Sequence, residues 1–237
     1  MASMADGWKL IRDYMDRLAF EGKKNAIYRG QANYEWEPIP SWFRGRWLGI
    51  GNQHRLDEWK WRAARFASPT PTDDIEWLVL AQHFGLPTTL LDWTTSPLIA
   101  LFFACDDKAM IDQDGCVWIT SINQFEKAHH TLTISPFAAN RSKPFIINAV
   151  GKNVRSTAQD SMLTLHTEND INSYNRRRLF TVPASLKAVT LNQLEKLGIA
   201  GDRLLYDIGH LVETLKTEQL GRSLTLTLTD VPEPPTA

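Results

Sequence analysis

Apolar side chains recur at spacings of three and four through Trp8, Ile11, Met15, Leu18 and Ala19, which predicts an amphipathic helix ended by Gly22. The segment AIYRG (26–30) is short, β-prone and closed by glycine, the pattern of a strand entering a turn. Pro38 and Pro40 each remove a backbone donor and restrict the preceding residue, so EWEPIPSWFRG reads as extended or looped chain. Charges alternating with Trp59, Trp61, Ala63 and Phe66 predict a return to helix over 54–67.

SPTPTDD (68–74) is a loop. Asp73, three positions before Glu76, resembles a capping box and opens a helix through IEWLVLAQHF, which Gly85 and Pro87 stop. TTLLDW (88–93) suits a buried strand, and Ser96-Pro97 suits an N-cap followed by proline at the first helical position. PLIALFFA is apolar on every side, which predicts a buried helix. CVWITSI (116–122), PFIINAV (144–150), MLTLHT (162–167) and LFTVP (179–183) read as strands, and LNQLEKLG (191–198) as a helix. A strand at RLLYD, a helix at HLVETLKTE and a strand at SLTLTLTD follow, then a proline-rich disordered tail at 231–237. With no repeat or linker inside 1–230, the expectation is one α+β domain with a mixed, partly split sheet and flanking helices.

At 237 residues, 43% hydrophobic and 22% charged, the composition is that of an ordinary globular chain. The net charge of −1 argues against wholesale electrostatic capture of nucleic acid or membrane, so any basic surface must be local. No apolar run reaches signal-peptide or membrane-span length, and only two cysteines occur, Cys105 and Cys116, both in apolar segments. The expectation is a soluble, cytoplasmic protein with no membrane partner.

Residues 42–66 change that even picture, because they hold six basic side chains, two acidic ones and six aromatics. Basic residues interleaved with rings, around Trp42, Arg44, Arg46, Trp59, Trp61 and Arg62, suit a nucleic-acid or protein target. A helix packing its tryptophans onto the core is the plainer reading. Arg176, Arg177 and Arg178 read as a solvated basic turn.

Several chemistries fail on spacing. Gly49-Ile50-Gly51 lacks the third glycine of a dinucleotide fingerprint, and no phosphate loop or Gly-x-Ser-x-Gly elbow is present. His129 and His130 are adjacent rather than at helical ligand spacing, so no metal is expected. What remains is a set of polar residues at strand ends. Arg29, between Tyr28 and Gly30, offers a guanidinium fork for a phosphate or ribose, with Gly30 permitting close approach; pairing with a buried Asp92 is the structural alternative. Asp92 itself reads as a buried carboxylate in need of a cation or donors. Thr94, Thr95 and Ser96 end a strand and open a helix, where backbone donors gather, although Ser96 as a plain N-cap explains much of this. His83 reads as a core or capping histidine before the Gly85 turn.

YRGQ (28–31), LAQHFGLPTTLLDWTTSPLIALFFA (80–104) and NVRSTAQDSMLTLHT (153–167) together resemble the FRG domain family, whose pattern is an aromatic-Arg-Gly motif, a Gln-His-x-Gly-Leu-Pro-Thr segment, a Leu-Leu-Asp-Trp-Thr segment and an Asn-x-Arg-x-x-Ala-Gln segment. The resemblance covers roughly residues 25–215. Thr89, Ser161 and Tyr206 depart from it, standing where Arg, Gly and Pro are usual.

The order of Arg29, the Thr94-Thr95-Ser96 cluster with its apolar helix, and Gln159 is similar to that of ADP-ribosyltransferases. That similarity implies an ADP-ribosyltransferase-like fold and NAD as substrate, held by Tyr28, Arg29, Gly30, Thr94 and Ser96, with Arg29 and Gln159 as catalytic residues. A Glu at 159 would accept a ribose hydroxyl and stabilise positive charge at the anomeric carbon; a neutral Gln does only the first. Glu168 and Glu213 are the candidates for the missing charge. The two resemblances imply an effector of toxin or phage-defence type; the alternative is a non-enzymatic nucleotide- or nucleic-acid-binding module of such a system. Either way, the strand of Arg29 is expected beside that of Asp92, with Arg29 and Thr94 on one cleft.

Overall fold

The computed structural model describes residues 2–21, 24–45, 48–127, 135–138, 141–148 and 159–204. Arg46, Trp47, the His129-His130 pair, 153–158 of the third motif and everything after 204, including Tyr206 and Glu213, lie outside the described residues. So do the helix and strand expected after 207 and the tail.

The strands are β1 (Ala26–Gln31), β2 (Leu90–Thr94), β3 (Gly115–Ser121), β4 (Glu126–Lys127), β5 (Phe145–Asn148), β6 (Ser161–Leu165) and β7 (Arg177–Val182). They form one mixed sheet in the order β4-β5-β6-β2-β1-β3-β7, in which the short β4–β5 pair is parallel and the other pairs antiparallel. The helices are α1 (Met4–Glu21), α2 (Gln53–Ala63), α3 (Asp74–His83), α4 (Pro97–Cys105) and α5 (Lys187–Lys196).

The sheet is partly split, and the split falls between β1 and β2. β1 matches β3 over six residue pairs, from Ala26↔Ser121 to Gln31↔Cys116, but meets β2 only at Tyr28↔Thr94. The half-sheets on either side of this single pair have separate cores. Since side chains alternate along a strand, Tyr28, Val117 and Ile119 face α1, α4 and α5 in one core, and Leu90, Ile147, Leu163 and Leu165 face α2 and α3 in another on the same side. Ile27, Leu91, Trp93, Cys116 and Trp118 form a third core on the opposite side, with Phe125 and Tyr174.

Helix boundaries follow local chemistry. Asp73 accepts the Glu76 amide at 2.8 Å, and Glu76 reaches back to the Thr72 amide, so α3 begins at the predicted box. Gly85 adopts φ +84° and stops it. Ser96 accepts the Ile99 amide ahead of Pro97, and α4 is buried through Ile99, Leu101 and Phe102 as its all-round apolarity requires.

Four expectations need correction. The buried stripe of α1 is Leu10, Ile11, Tyr14 and Leu18, whereas Trp8 and Met15 are exposed; Tyr14 donates to the Pro97 carbonyl at 2.9 Å, which turns that face toward α4. The strand expected at RLLYD begins instead as a helical turn, Gly201–Leu204. Arg177 and Arg178 lie in β7 rather than in a solvated turn, with Arg178 stacked over the rings of Tyr34 and Trp118. Asp92 is not a buried carboxylate, because its side chain is 50% exposed.

Candidate functional site

If β1 and β2 continued to pair past Tyr28↔Thr94, Gly30 would lie opposite Asp92. They part instead, and Arg29 bridges the gap. Its Nη1 donates to the backbone carbonyl of Asp92 at 2.7 Å and lies 3.8 Å from the Asp92 carboxylate. The guanidinium thus satisfies a β2 acceptor that the lost ladder leaves open. The Arg29 side chain is 18% exposed, and its Nε is buried without a partner. Burial lowers its pKa from the ordinary value, while Asp92 and Tyr174 pull the other way.

A cavity of about 280 Å³ opens at this gap, between the C-terminal ends of α3 and α4. Tyr28, Arg29, Gly30, Thr94 and Gln159 all line it, and Ser96 does not. Asp92, His83, Trp36, Phe103 and Arg44 complete the walls on which the chemistry depends. A second cavity of about 160 Å³ adjoins it and shares Arg29, Arg44, Gln82 and Asp92. Arg29 and Thr94 therefore share one cleft, and the strand of Arg29 lies beside that of Asp92.

Thr94, Gln159, Tyr28 and Gly30 each have a definite structural engagement. The Thr94 hydroxyl donates to the Gln159 carbonyl at 2.8 Å and accepts the Ser96 amide at 3.1 Å, so it locks the β2–α4 turn. Gln159 donates its side-chain amide to the Leu204 carbonyl at 2.9 Å. Tyr28 is buried in the α4 core, and a Cβ on Gly30 would stand 1.9 Å from the Ala100 carbonyl oxygen, so that glycine is needed for α4 to lie on β1. Glu168 is exposed and lines neither cavity.

Gln82, quoted within the second motif but given no role, holds Asp92 in place. Its amide nitrogen donates to the Asp92 carboxylate at 2.8 Å while its oxygen accepts from the Thr88 hydroxyl, whose oxygen in turn accepts the Leu90 amide. One side chain of α3 thereby fixes both the turn into β2 and the carboxylate in the cleft.

A buried chain of hydrogen bonds beneath the cleft also escaped sequence reasoning. The Trp93 indole donates to Thr164 Oγ1 at 3.0 Å, Thr164 Oγ1 lies 2.7 Å from His166 Nε2, and His166 Nδ1 lies 3.4 Å from Asp170. An indole only donates, so Thr164 Oγ1 accepts from Trp93, and its own proton has two acceptors within reach, His166 Nε2 and the Leu91 carbonyl at 3.4 Å. Asp170 also accepts the Thr167 amide and hydroxyl at 2.9 and 2.8 Å. Burial pushes the His166 pKa down, opposed by Asp170. Trp93 lines the cavity, so the chain fixes the orientation of a ring at its wall.

Residues 24–113, which span β1 to the end of α4 and the parted strands, match the model of the FRG domain family. The chain carries an FRG domain. Its matched span is narrower than the expected 25–215 and leaves the third motif outside, so Gln159, Thr164, His166 and Asp170 lie beyond the FRG match. No curated protein and no solved structure matches the chain. Among the described residues no group of three His, Cys, Asp or Glu side chains is arranged to hold a metal ion, and no helix is long and apolar enough to cross a membrane.

Proposed function

We propose that the cleft of the FRG domain binds NAD, with Arg29 holding a phosphate or ribose group at the gap between β1 and β2. The observation that carries this reading is the guanidinium itself: it stands at a cavity wall, fixed by the Asp92 carbonyl through Nη1 alone, with Nη2 bonded to no described residue. Phosphate oxygens suit such a fork. Trp36, Phe103 and His83 supply rings for a base or pyridine, and Thr94 and Gly30 contribute wall.

Transfer of ADP-ribose, or cleavage of NAD, breaks the nicotinamide–ribose bond and calls for an anion near the positive charge that develops on the sugar. Gln159 carries no charge and its amide is engaged with Leu204. Of the three carboxylates that line the cleft, Asp92, Asp106 and Asp107, that of Asp92 lies beside Arg29, half exposed and held by Gln82, and is suited to that task. Consumption of NAD would make the protein an effector of toxin or phage-defence type. The test is calorimetric titration with NAD together with chromatographic detection of released nicotinamide. Binding by the wild type that is lost in Arg29→Ala, and release lost in Asp92→Asn, are expected; absence of binding by the wild type overturns the reading.

A second reading, a target-binding surface for nucleic acid, is favoured by α2. Trp61 is 81% exposed there, beside Arg62 and close to Arg65, which stacks on the exposed ring of Phe66 at 4.7 Å.

A further inference from the structure

Tyr28, Thr94 and Ser161 stand opposite one another on β1, β2 and β6, because Tyr28 pairs with Thr94 and Thr94 with Ser161. Directly paired residues of neighbouring strands share a face of the sheet. Three hydroxyl-bearing side chains thus form one row across the strands, and all three residues line the larger cavity. Phe103 and Gln159 line it beside them: Phe103 packs against the core that holds Tyr28, and the Gln159 carbonyl accepts the Thr94 hydroxyl at 2.8 Å. None of these five side chains is charged at neutral pH.

The hydroxyls of the row differ in what they hold. That of Thr94 is committed to Gln159 and to the Ser96 amide, and that of Ser161 lies 3.4 Å from Gln159 Oε1. The Tyr28 hydroxyl has no hydrogen-bond partner among the described residues, although the residue is only 7% exposed. The other buried tyrosines, Tyr14 and Tyr174, donate to the carbonyls of Pro97 and Pro38 at 2.9 and 3.3 Å. Nor is the Tyr28 oxygen among the unpartnered polar atoms sealed in the interior, so the little surface it keeps opens on the cavity that Tyr28 lines. Burial holds its pKa above the ordinary value, and the hydroxyl keeps a proton to donate.

We infer that this row is the subsite for an uncharged aromatic amide, with Phe103 as its apolar wall and Tyr28 as its specificity-determining residue, the hydroxyl donating to the amide carbonyl. The inference rests on the NAD reading for the identity of the ring, nicotinamide, and adds which end of the cleft takes that ring and which atom reads it. A carboxylate in the same place would give up its water for a hydroxyl, with no cation of the row to balance it.

The experiment is NMR titration of the full chain with nicotinamide and with nicotinic acid, beside calorimetric titration with NAD, for wild type and Tyr28→Phe. Nicotinamide should bind the wild type more tightly than nicotinic acid does. Tyr28→Phe keeps the packed ring and should weaken both nicotinamide and NAD by roughly fivefold to tenfold. Its melting temperature should match that of the wild type, since the hydroxyl it removes holds no described protein group. Equal binding of nicotinamide by the two proteins, or a lowered melting temperature, overturns the role of Tyr28; nicotinic acid binding as well as nicotinamide overturns the uncharged subsite. The NAD reading stands in those cases as long as NAD binds. Nicotinamide held through Tyr28 without any binding of NAD upholds the subsite and removes the NAD reading. If the wild type binds neither, both fall.

Discussion

Arg29 donates through Nη1 to the backbone carbonyl of Asp92 at 2.7 Å, while the carboxylate of the same residue stays 3.8 Å away and half exposed. The arginine is tied to the strand, and only loosely to the charge. The two residues should therefore respond differently to substitution. Arg29→Ala leaves a β2 carbonyl without its donor and should lower stability by about 1–3 kcal/mol. Asp92→Asn keeps an acceptor for Gln82 and should cost less than about 1 kcal/mol, as loosely paired and solvated charges do. Urea unfolding of both variants tests this; an Asp92→Asn loss as large as that of Arg29→Ala would mean that the ion pair, not the carbonyl bond, holds the gap.

Gly30 makes the strongest packing demand of the aromatic-Arg-Gly motif. A methyl group there meets the backbone of Ala100 and Ala104 at 1.9 and 2.6 Å, and a backbone in a buried helix yields only if the whole of α4 moves. Gly30→Ala should cost more than about 3 kcal/mol, beyond the usual range for overpacking. Thermal melting measures it, and a near-native melting temperature would show that α4 is free to shift off β1.

Most of the elements were legible because their signals are local: the box at Asp73 and Glu76, the Ser96-Pro97 start, the all-apolar α4 and the glycine stop at Gly85 each act within a few residues. The cleft was legible in part, because the order of YRG before LLDWTTSP places two strand ends together. What stayed hidden depends on pairing between distant strands. Asp92 looks buried among leucines, yet the parted ladder opens its side of β2 to the cavity, and nothing within LLDW records that parting. Lys187 is the extreme case: nothing in the sequence singles it out, yet it is buried and its Nζ donates to the carbonyls of Ala32 and Met110 at 2.6 and 2.7 Å. The segment 42–66 was legible only as a composition; the structure divides it, sending Arg44 to the cleft, Trp59 toward the α2–α3 core and Trp61 into solvent.

The His166 chain makes stability depend on pH with a definite sign. Burial lowers the folded-state pKa of His166 below its unfolded value of about 6.5, so the folded protein binds fewer protons than the unfolded chain in the interval between the two. Its contribution is complete above about pH 6.5 and is lost as the pH falls from there toward the lowered value. His166→Gln removes this titration. The stability difference between wild type and His166→Gln should therefore be larger at about pH 7.5 than at about pH 5.5, measured by urea unfolding. A difference independent of pH would place the imidazole in contact with water. Thr164→Val should loosen Trp93 as well, seen as a shift of the indole proton resonance, because the indole then has no acceptor.

Exposure separates two tryptophans that lie only one residue apart on α2, and this decides whether that helix serves a target. Trp61 is 81% exposed and touches no core cluster, so Trp61→Ala should leave the unfolding free energy unchanged within about half a kcal/mol. Trp59 packs against the core that includes Leu56 and Leu78, with its indole nitrogen buried, so Trp59→Ala should destabilise the domain by about 3–5 kcal/mol. If the exposed ring stacks on bases, Trp61→Ala should weaken binding of single-stranded RNA or DNA by about 1–3 kcal/mol in a gel-shift titration. Exchanging Arg62 and Arg65 for Glu should flatten the salt dependence of that binding, since fewer counterions are released, and should leave NAD binding unchanged. Lys60 belongs outside this set because it pairs with Asp74 and ties α2 to α3. Wild-type protein that shows no salt-dependent retardation of either nucleic acid would remove the target surface, and the cleft between β1 and β2 would then be the part of the molecule left to explain its activity.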